Sequence, residues 1–282
     1  MRVFRSVRAM SAWSGTLRRE GVVIGLVPTM GALHAGHRAL IRAARLSCDA
    51  VVVSLFVNPR QFGAGEDFAR YPRRIRADAA LCRVEGVDAL FAPPRRDIYP
   101  AGFQTSVVVR DLSRRWEGAA RPGHFEGVVT IVTKLFTIVR PDVAFFGQKD
   151  FQQAVVVRRL VEDLNLGVRI AIHPTVREPD GLALSSRNQY LSPRQRRAAT
   201  VLYDALQVGC ASIQAGQRSG ERVKRLMQER VGQEPLARAD YLAVCDPRTL
   251  EPIERIARAV VLLGAVRIGR IRLIDNALIG KR

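Results

Sequence analysis

Two histidines three residues apart are the side chains of this sequence best suited to stabilising a phosphoryl group. His34 and His37 follow the apolar run 22–27 and precede the helical pattern 38–47, an order that predicts a strand-to-helix turn. A helix N-terminus presents unpaired N–H groups and the positive end of its dipole to an anion. Two glycines of the same turn let the backbone approach the anion closely: Gly31 and Gly36. We expect a phosphate site here; the simpler alternative is a turn whose histidines only cap the helix.

Two neutral amides follow the second predicted strand, residues 50–57. Asn58 and Gln61 offer donors and acceptors suited to the hydroxyl and carboxylate groups of a small polar substrate. Ligands of an open parallel sheet lie outside the carboxyl ends of its strands, so we expect this segment to face the first turn. The alternative is an Asn-Pro turn with one exposed glutamine.

Lys149 is conspicuous because the chain has only four lysines among its 45 basic residues. It lies between the apolar run 143–146 and the helical pattern 152–164. A lysine there supplies a compact charge to a phosphate, Asp150 can accept from ribose hydroxyls or hold a cation's water shell, and Gln153 lies one helical turn later. The alternative is an ordinary helix start with Asp150 in its first turn.

Ser185, Ser186 and Arg187 place two hydroxyls and a guanidinium in the predicted loop 175–191, where they would form a small anion clamp. His124 lies in a second glycine-rich loop. We find no Ser-His-Asp order, no cluster of metal ligands and no Walker-type phosphate loop, which disfavours triad hydrolysis and P-loop phosphoryl transfer.

These residues need a scaffold, and the pattern of the chain predicts an α/β protein with a doubly wound parallel sheet. The apolar runs are residues 22–27, 50–57, 87–91 and 143–146, and the intervening helical patterns are residues 38–47, 75–85 and 128–139. The helical pattern 152–164 then leads to a short strand, 168–172.

The pattern breaks at His173-Pro174, and we expect a smaller α/β body beyond it. Ser192-Pro193 opens a helix in the usual cap-then-proline order. A helix near 221–231 and strands near 241–244 and 259–266 follow. We therefore expect two domains, residues 1–175 and 176–282.

Composition predicts a soluble globular protein of 282 residues, with 48% hydrophobic residues and no apolar run of membrane-span or signal-peptide type. We expect a cytoplasmic protein with reduced, mostly buried thiols. The net charge of +19 raises the possibility of a nucleic-acid partner. Because the arginines are scattered along the chain without interleaved aromatic residues, we interpret them as solvated surface that favours anionic substrates, with no specific nucleic acid and no membrane as partner.

Taken together, the motifs resemble the pantothenate synthetase family, the pantoate-beta-alanine ligases of the nucleotidyltransferase superfamily with a His-x-Gly-His motif. The segments that carry the resemblance are residues 28–37, 56–62, 71–73, 117–118, 121–125, 146–153, 180–188 and 273–276. They occur in order along essentially the whole chain.

The resemblance implies a Rossmann-like domain, a smaller C-terminal domain that closes over it, and a homodimer. It also implies a reaction in two steps: pantoate attacks the α-phosphate of ATP to give pantoyl adenylate and pyrophosphate, and β-alanine then displaces AMP. ATP is thus expected as a substrate accompanied by Mg²⁺, with metal ligands that the sequence does not identify.

The resemblance also implies residue roles. His34, His37 and Lys149 would be catalytic. The residues implied in ATP binding are Met30, Gly31, His34, Gly36, His37, Gly147, Gln148, Lys149, Asp150, Val176, Leu184, Ser185, Ser186 and Arg187. Those implied in binding pantoate or β-alanine are Met30, Asn58, Gln61 and Gln153.

Two positions depart from the family pattern. Gln148 stands where the family usually has Glu, which removes a negative charge beside Lys149, and Arg60 stands where Met is common. Arg60 either crowds the pantoate pocket or points to solvent.

Two other functions remain open from the sequence. A different member of the same superfamily would transfer AMP from ATP to a phosphorylated cofactor precursor, because such enzymes share the His-x-Gly-His turn. A nucleic-acid-binding module would instead use the net positive charge.

Overall fold

The larger sheet forms as the alternation of apolar runs and helical patterns predicts. The computed structural model describes residues 1–280. The strands of this sheet are β1 (Arg2–Phe4), β2 (Ile24–Thr29), β3 (Ala50–Leu55), β4 (Ala89–Phe91), β5 (Val143–Gly147) and β6 (Arg169–His173). Their order is β1-β4-β3-β2-β5-β6, and every neighbouring pair is parallel. The predicted Rossmann-like, doubly wound class is confirmed.

Helices connect these strands. They are α1 (Val7–Arg19), α2 (Ala35–Ser47), α3 (Ile75–Val84), α4 (Arg95–Ile98), α5 (Glu117–Ala120), α6 (His124–Val139) and α7 (Phe151–Asp163). The helical pattern predicted over residues 38–47 is confirmed by α2, in which Leu40, Ile41 and Ala44, spaced as on one helix face, are buried in one cluster with Val27 and Val53 of the sheet. Burying a large aliphatic side chain in this way contributes about 1.5–3 kcal/mol to stability.

The C-terminal part of the chain forms a three-stranded antiparallel sheet with helices. Its elements are α8 (Pro193–Ala198), α9 (Val201–Gln214), α10 (Gly220–Gly232), β7 (Ala237–Cys245), β8 (Val260–Ile268) and β9 (Ile271–Ile279). Ser192 caps α8 as predicted: its side chain accepts from the N–H of Gln195, whose side chain accepts from the N–H of Ser192. Leu206, Met227 and Leu262 are fully buried in the core of this part.

The contacts divide the chain into two units. The first consists of Met1–Gly147 and Val156–Pro174, and the second of Gln148–Val155 and the chain from Thr175 onward. The domain boundary between residues 175 and 176 stays a prediction from the sequence. Residues 281–282 of the predicted second domain lie outside the described residues.

Several elements did not follow from the sequence patterns. β1 and α1 form in an arginine-rich segment where Ser6 caps the helix, and β9 carries two buried polar residues, Asp275 and Asn276. In residues 1–280 no helix has the length and apolar character needed to cross a membrane. The four cysteines all lie within this range and form no disulfide, and three of them are buried.

Candidate active site

The predicted phosphate-binding turn lies where the winding of the parallel sheet changes direction. The central strand β2 has β3 on one side and β5 on the other. Ligands of doubly wound sheets bind outside the carboxyl ends of the strands at such a point. Met30 directly follows β2 and Gly147 ends β5. The structure therefore brings these two predicted site residues to the same edge of the sheet.

His34 and His37 hold each other in a defined orientation at the start of α2. Nδ1 of His34 accepts from the backbone N–H of Gly36 at 3.2 Å, and Nδ1 of His37 accepts from the N–H of His34 at 3.3 Å. The ring centroids are 4.1 Å apart. A neutral imidazole that accepts at Nδ1 carries its proton on Nε2. Capping the helix thus makes both Nε2 atoms donors, so the capping and phosphate-binding interpretations are compatible.

The backbone of this turn depends on Gly36 and on a carboxylate that sequence analysis did not single out. A Cβ at Gly36 would lie 3.0 Å from Cε1 of His34, so a larger residue there would require the imidazole to shift by a few tenths of an ångström. The carboxylate of Asp78 on α3 is almost completely buried and accepts from the N–H groups of Ala32 at 3.0 Å and Leu33 at 2.9 Å. An aspartate is common in the first turn of a helix because its charge interacts favourably with the helix dipole. The sequence therefore carried no distinctive signal for this contact.

Asn58 is fully committed to hydrogen bonds within the protein. It is 1% exposed, and its Nδ2 donates to Oε1 of Gln61 and to the carbonyl of Gly127, both at 3.0 Å. Its Oδ1 accepts from the Tyr99 hydroxyl at 2.9 Å. With Oε1 of Gln61 occupied as an acceptor, Nε2 of Gln61 is directed to Sδ of Met30, 3.0 Å away. The structure therefore orients Gln61 as a donor beside Met30.

His124 and Arg121 support the backbone of Gln61. Nδ1 of His124 lies 2.8 Å from the carbonyl oxygen of Gln61, and Nη2 of Arg121 donates to the same oxygen at 3.1 Å. Burial, reinforced by the nearby Arg121 charge, lowers the pKa of His124 to about 4. His124 is thus neutral at pH 7, with Nδ1 donating to Gln61 and Nε2 accepting from Arg121 at 3.1 Å.

Arg60 has partners of its own next to this site. Its guanidinium carbon lies 5.8 Å from the ring centroid of Tyr99 and 5.4 Å from that of Phe103. Its Nη2 lies 3.5 Å from a carboxylate oxygen of Glu126. The charge of Arg60 is therefore held by aromatic faces and a carboxylate.

In the second unit, Lys149 lies on a 3₁₀ turn, Gln148–Asp150, that directly precedes α7. Its Nζ is 3.5 Å from Oδ1 of Asp150. The side chain of Asn276 on β9 contacts the carbonyls of both Gln148 and Lys149. Gln153, the third residue of α7, is half-buried. The sequence motif 273–276 thus contacts the motif around Lys149.

The loop that contains the predicted anion clamp is also ordered by local hydrogen bonds. The N–H of Leu184 donates to the carbonyl of Val176 at 3.0 Å, which pairs two of the predicted ATP-binding residues. Ser185 accepts from the N–H of Arg187 at 3.3 Å and caps the short 3₁₀ helix Ser186–Tyr190. The clamp residues are thus placed together at the start of this helix.

The residues from 1 to 280 contain no group of three or more His, Cys, Asp or Glu side chains that could hold a metal ion. A metal that accompanies a nucleotide is usually held by its phosphates with one or two carboxylates.

Comparison with known proteins gives a consistent result. The family model for pantoate-beta-alanine ligase matches residues 2–278 of this chain. The chain is 54% identical over 279 residues to the pantothenate synthetase of Heliobacterium modesticaldum, and the match covers 99% of each chain.

Solved structures agree with the sequence match. The pantothenate synthetase of Thermus thermophilus superposes with a TM-score of 0.93 at 48% identity, over 98% of this chain and 99% of that one. The pantoate-beta-alanine ligase of Francisella tularensis, whose crystal structure is a complex with beta-gamma ATP and beta-alanine, gives a TM-score of 0.80 at 32% identity, over 99% of this chain and 97% of that one. Because both the family pattern and its relatives match nearly the entire length, this chain belongs to the pantoate-beta-alanine ligase family.

Proposed function

We propose that this protein condenses pantoate with β-alanine in an ATP-dependent reaction that yields pantothenate, AMP and pyrophosphate. A carboxylate oxygen of pantoate attacks the α-phosphorus of ATP, the bond to the bridging oxygen breaks, and pyrophosphate leaves. The β-alanine amine then attacks the acyl carbon of pantoyl adenylate, and AMP leaves. Family membership supports this reaction, as does the Francisella relative crystallised with beta-gamma ATP and beta-alanine.

The observation that carries this proposal is the pair of imidazoles at the winding change of the sheet. Because His34 and His37 accept backbone N–H groups at Nδ1, both present Nε2–H donors at a helix N-terminus. Adenylation requires that negative charge on the transferred phosphoryl group be stabilised, more than it requires a strong nucleophile. Fixed donors that need no reorganisation are suited to that task.

We assign the remaining roles in the first unit from their contacts. Met30, Gly31 and Gly36 would shape the nucleotide side of the turn, with Gly147 beside it. Gln61 would donate its Nε2–H to an oxygen of pantoate, because Asn58 already occupies its Oε1. Met30 would contact pantoate as well, since its sulfur lies next to that amide.

In the second unit we assign residues to the nucleotide and to pantoate. Lys149 would neutralise phosphate charge, and Ser185, Ser186 and Arg187 would hold the phosphate tail. Asp150 would accept from ribose hydroxyls, and Gln153 would bind pantoate. The ATP site would also include Gln148, Val176 and Leu184.

Three further properties belong to the proposal. Mg²⁺ would arrive on the triphosphate of ATP and neutralise part of its charge. The protein would be a homodimer and would act in the cytoplasm. Sedimentation of the purified protein over a range of concentrations tests the dimer, and titration of Mg²⁺ at fixed ATP tests the metal requirement.

We propose no nucleic-acid partner despite the net charge of +19. Several arginines pair with carboxylates of the same chain, including Arg45 with Asp88 and Arg196 with Asp180. The other arginines are scattered along the chain without interleaved aromatic residues, so we expect binding to an arbitrary duplex to be weak and lost on modest addition of salt. Submicromolar affinity at physiological salt, with a steep salt dependence, would contradict this interpretation.

A three-substrate assay tests the reaction. Pyrophosphate release should require both ATP and pantoate, and formation of AMP and pantothenate should additionally require β-alanine. If pyrophosphate release required a phosphorylated acceptor in place of pantoate, the protein would be a different nucleotidyltransferase and our proposal would be wrong.

A further inference from the structure

Asn276 is a buried amide whose hydrogen bonds converge on the turn that carries Lys149. It lies on β9 and is 2% exposed. Its Nδ2 donates to the carbonyl of Gln148 at 2.8 Å and to the carbonyl of Lys149 at 3.0 Å. Its Oδ1 accepts from Nε2 of Gln148 at 3.2 Å. Both amide hydrogens and the amide oxygen are therefore engaged with residues 148 and 149.

The two carbonyls that Asn276 holds lie on either side of the Lys149 Cα. The carbonyl of Gln148 belongs to the peptide plane before Lys149, and the carbonyl of Lys149 belongs to the plane after it. Because peptide planes are rigid, the only soft backbone angles between them are φ and ψ of Lys149. A single amide group that binds both carbonyls restrains both angles, and with them the direction of the Lys149 Cα–Cβ bond.

The neighbouring residue anchors Asn276 itself. Asp275 is buried and accepts from Arg177 through both carboxylate oxygens, at 2.6 and 3.0 Å. Its Oδ1 also accepts from the backbone N–H of Asn276 at 2.8 Å. A bidentate arginine–carboxylate pair fixes geometry as well as charge. The backbone of Asn276 is thus fixed by Asp275 and Arg177, separately from the contacts that its side-chain amide makes with residues 148 and 149.

We propose that Asn276 is a positioning residue for adenylation, which fixes the backbone of Lys149 so that its ammonium is presented to the phosphates in one direction. Gln148 completes the arrangement, because its Nε2 bonds to Oδ1 of Asn276 and keeps the two hydrogens of that amide turned towards the carbonyls. This inference rests on the phosphate role proposed above for Lys149.

The test measures the two half-reactions separately in Asn276→Ala. Pyrophosphate release from ATP and pantoate reports adenylation, and conversion of supplied pantoyl adenylate with β-alanine reports the second step. Misplacing a catalytic group by about 1 Å can cost about a hundredfold in rate. We expect kcat for adenylation to fall by about tenfold to a hundredfold, with a smaller change in KM for ATP. The second step should stay within about twofold of the parent.

A double-variant cycle identifies Lys149 as the group through which Asn276 acts. Lys149→Ala alone should reduce adenylation, and adding Asn276→Ala to it should cause almost no further loss, because the positioned group is already absent. Additive losses in the double variant, or equal losses in both half-reactions, would overturn the proposal.

Matched variants separate positioning from folding. Asp240→Asn alters a carboxylate on β7 that binds Arg267 of β8 at 3.0 Å and Arg272 of β9 at 2.6 Å. It should leave both half-reactions unchanged, which shows that a polar substitution beside this strand does not by itself impair adenylation. Asn276→Asp keeps the side-chain volume but loses both donors, so it should reproduce the adenylation defect even if the alanine variant does not fold. An active Asn276→Asp enzyme would overturn the proposal.

The outcomes also distinguish this inference from the function on which it rests. If Lys149→Ala abolishes adenylation while both Asn276 variants retain it, only the positioning role is wrong. If Lys149→Ala retains adenylation, the phosphate role of Lys149 is wrong and the positioning role with it.

Discussion

His34 and His37 cap the same helix through their own imidazoles. His34 accepts from the second residue of α2, and His37 accepts from the N–H of His34. Each bond uses Nδ1, and so each ring keeps its proton on Nε2. Helix capping and tautomer selection are thus one interaction, and a change in either histidine should affect both fold and chemistry.

His37→Ala should slow adenylation by about a hundredfold to a thousandfold, because it removes one preorganised donor to developing charge. The second half-reaction should be comparatively intact. Loss of the cap should also lower the free energy of unfolding by about 1 kcal/mol. Pyrophosphate release and the conversion of supplied pantoyl adenylate are the two measurements. Equal loss in both would reject the assigned role.

Asp78→Asn should weaken the turn that holds the histidines. An asparagine can accept from only one of the N–H groups of Ala32 and Leu33 and would direct an NH₂ group at the other. Leaving a buried donor unsatisfied costs about 1–3 kcal/mol. We expect a matching fall in the free energy of unfolding, measured by denaturant titration, and a larger fall in adenylation than in the second step. An unchanged adenylation rate would show that this carboxylate does not control the turn.

Gln148→Glu should impair ATP handling and leave the β-alanine dependence nearly unchanged. A carboxylate at this position cannot donate to Oδ1 of Asn276, and it would face an acceptor there. Loss of one hydrogen bond of about 1 kcal/mol predicts a roughly three- to tenfold fall in adenylation. Gln148→Met, which removes the same bond without adding charge, is the matched control. Steady-state titration of each substrate is the measurement. A change confined to the β-alanine dependence would mean that our assignment of this turn to ATP is wrong.

The buried His124 should make stability depend on pH between 6.5 and about 4. Burial lowers its pKa from 6.5 to about 4, so in this range the unfolded chain binds a proton that the native state excludes. The free energy of unfolding should therefore have its full value above pH 6.5 and should fall by up to about 3 kcal/mol as the pH drops to about 4.

His124→Gln provides the control for this dependence, because glutamine does not titrate. Between pH 6.5 and about 4, the free energy of unfolding of this variant should vary less than that of the parent protein. Glu66 and Asp180, whose pKa values are lowered by arginine partners, lose their contribution to stability only as the pH falls below the ordinary carboxyl values of 4.5 and 3.8, near or below the acid end of this range. Parallel pH profiles for the two proteins would show that His124 is not the titrating group.

Local sequence determined the elements whose signals lie within a few residues of one another. The spacing of Leu40, Ile41 and Ala44 fixes the buried face of α2, and Ser192 with Gln195 fixes the start of α8. The same locality made the two histidines recognisable at a strand-to-helix turn. Hydrophobic periodicity and capping act over one or two helical turns, and a sequence displays both directly.

Only the tertiary structure decided which segments meet. The pairing of β2 with β5 places Gly147 at the edge of the sheet where Met30 lies. The partner of Asp78 is 46 residues away in sequence, and that of Asn276 is 128 residues away. Buried polar groups must find hydrogen-bond partners, but that requirement does not specify where along the chain they are. The sequence alone therefore named the groups to which we assign the chemistry, and the fold alone showed which buried residues contact them.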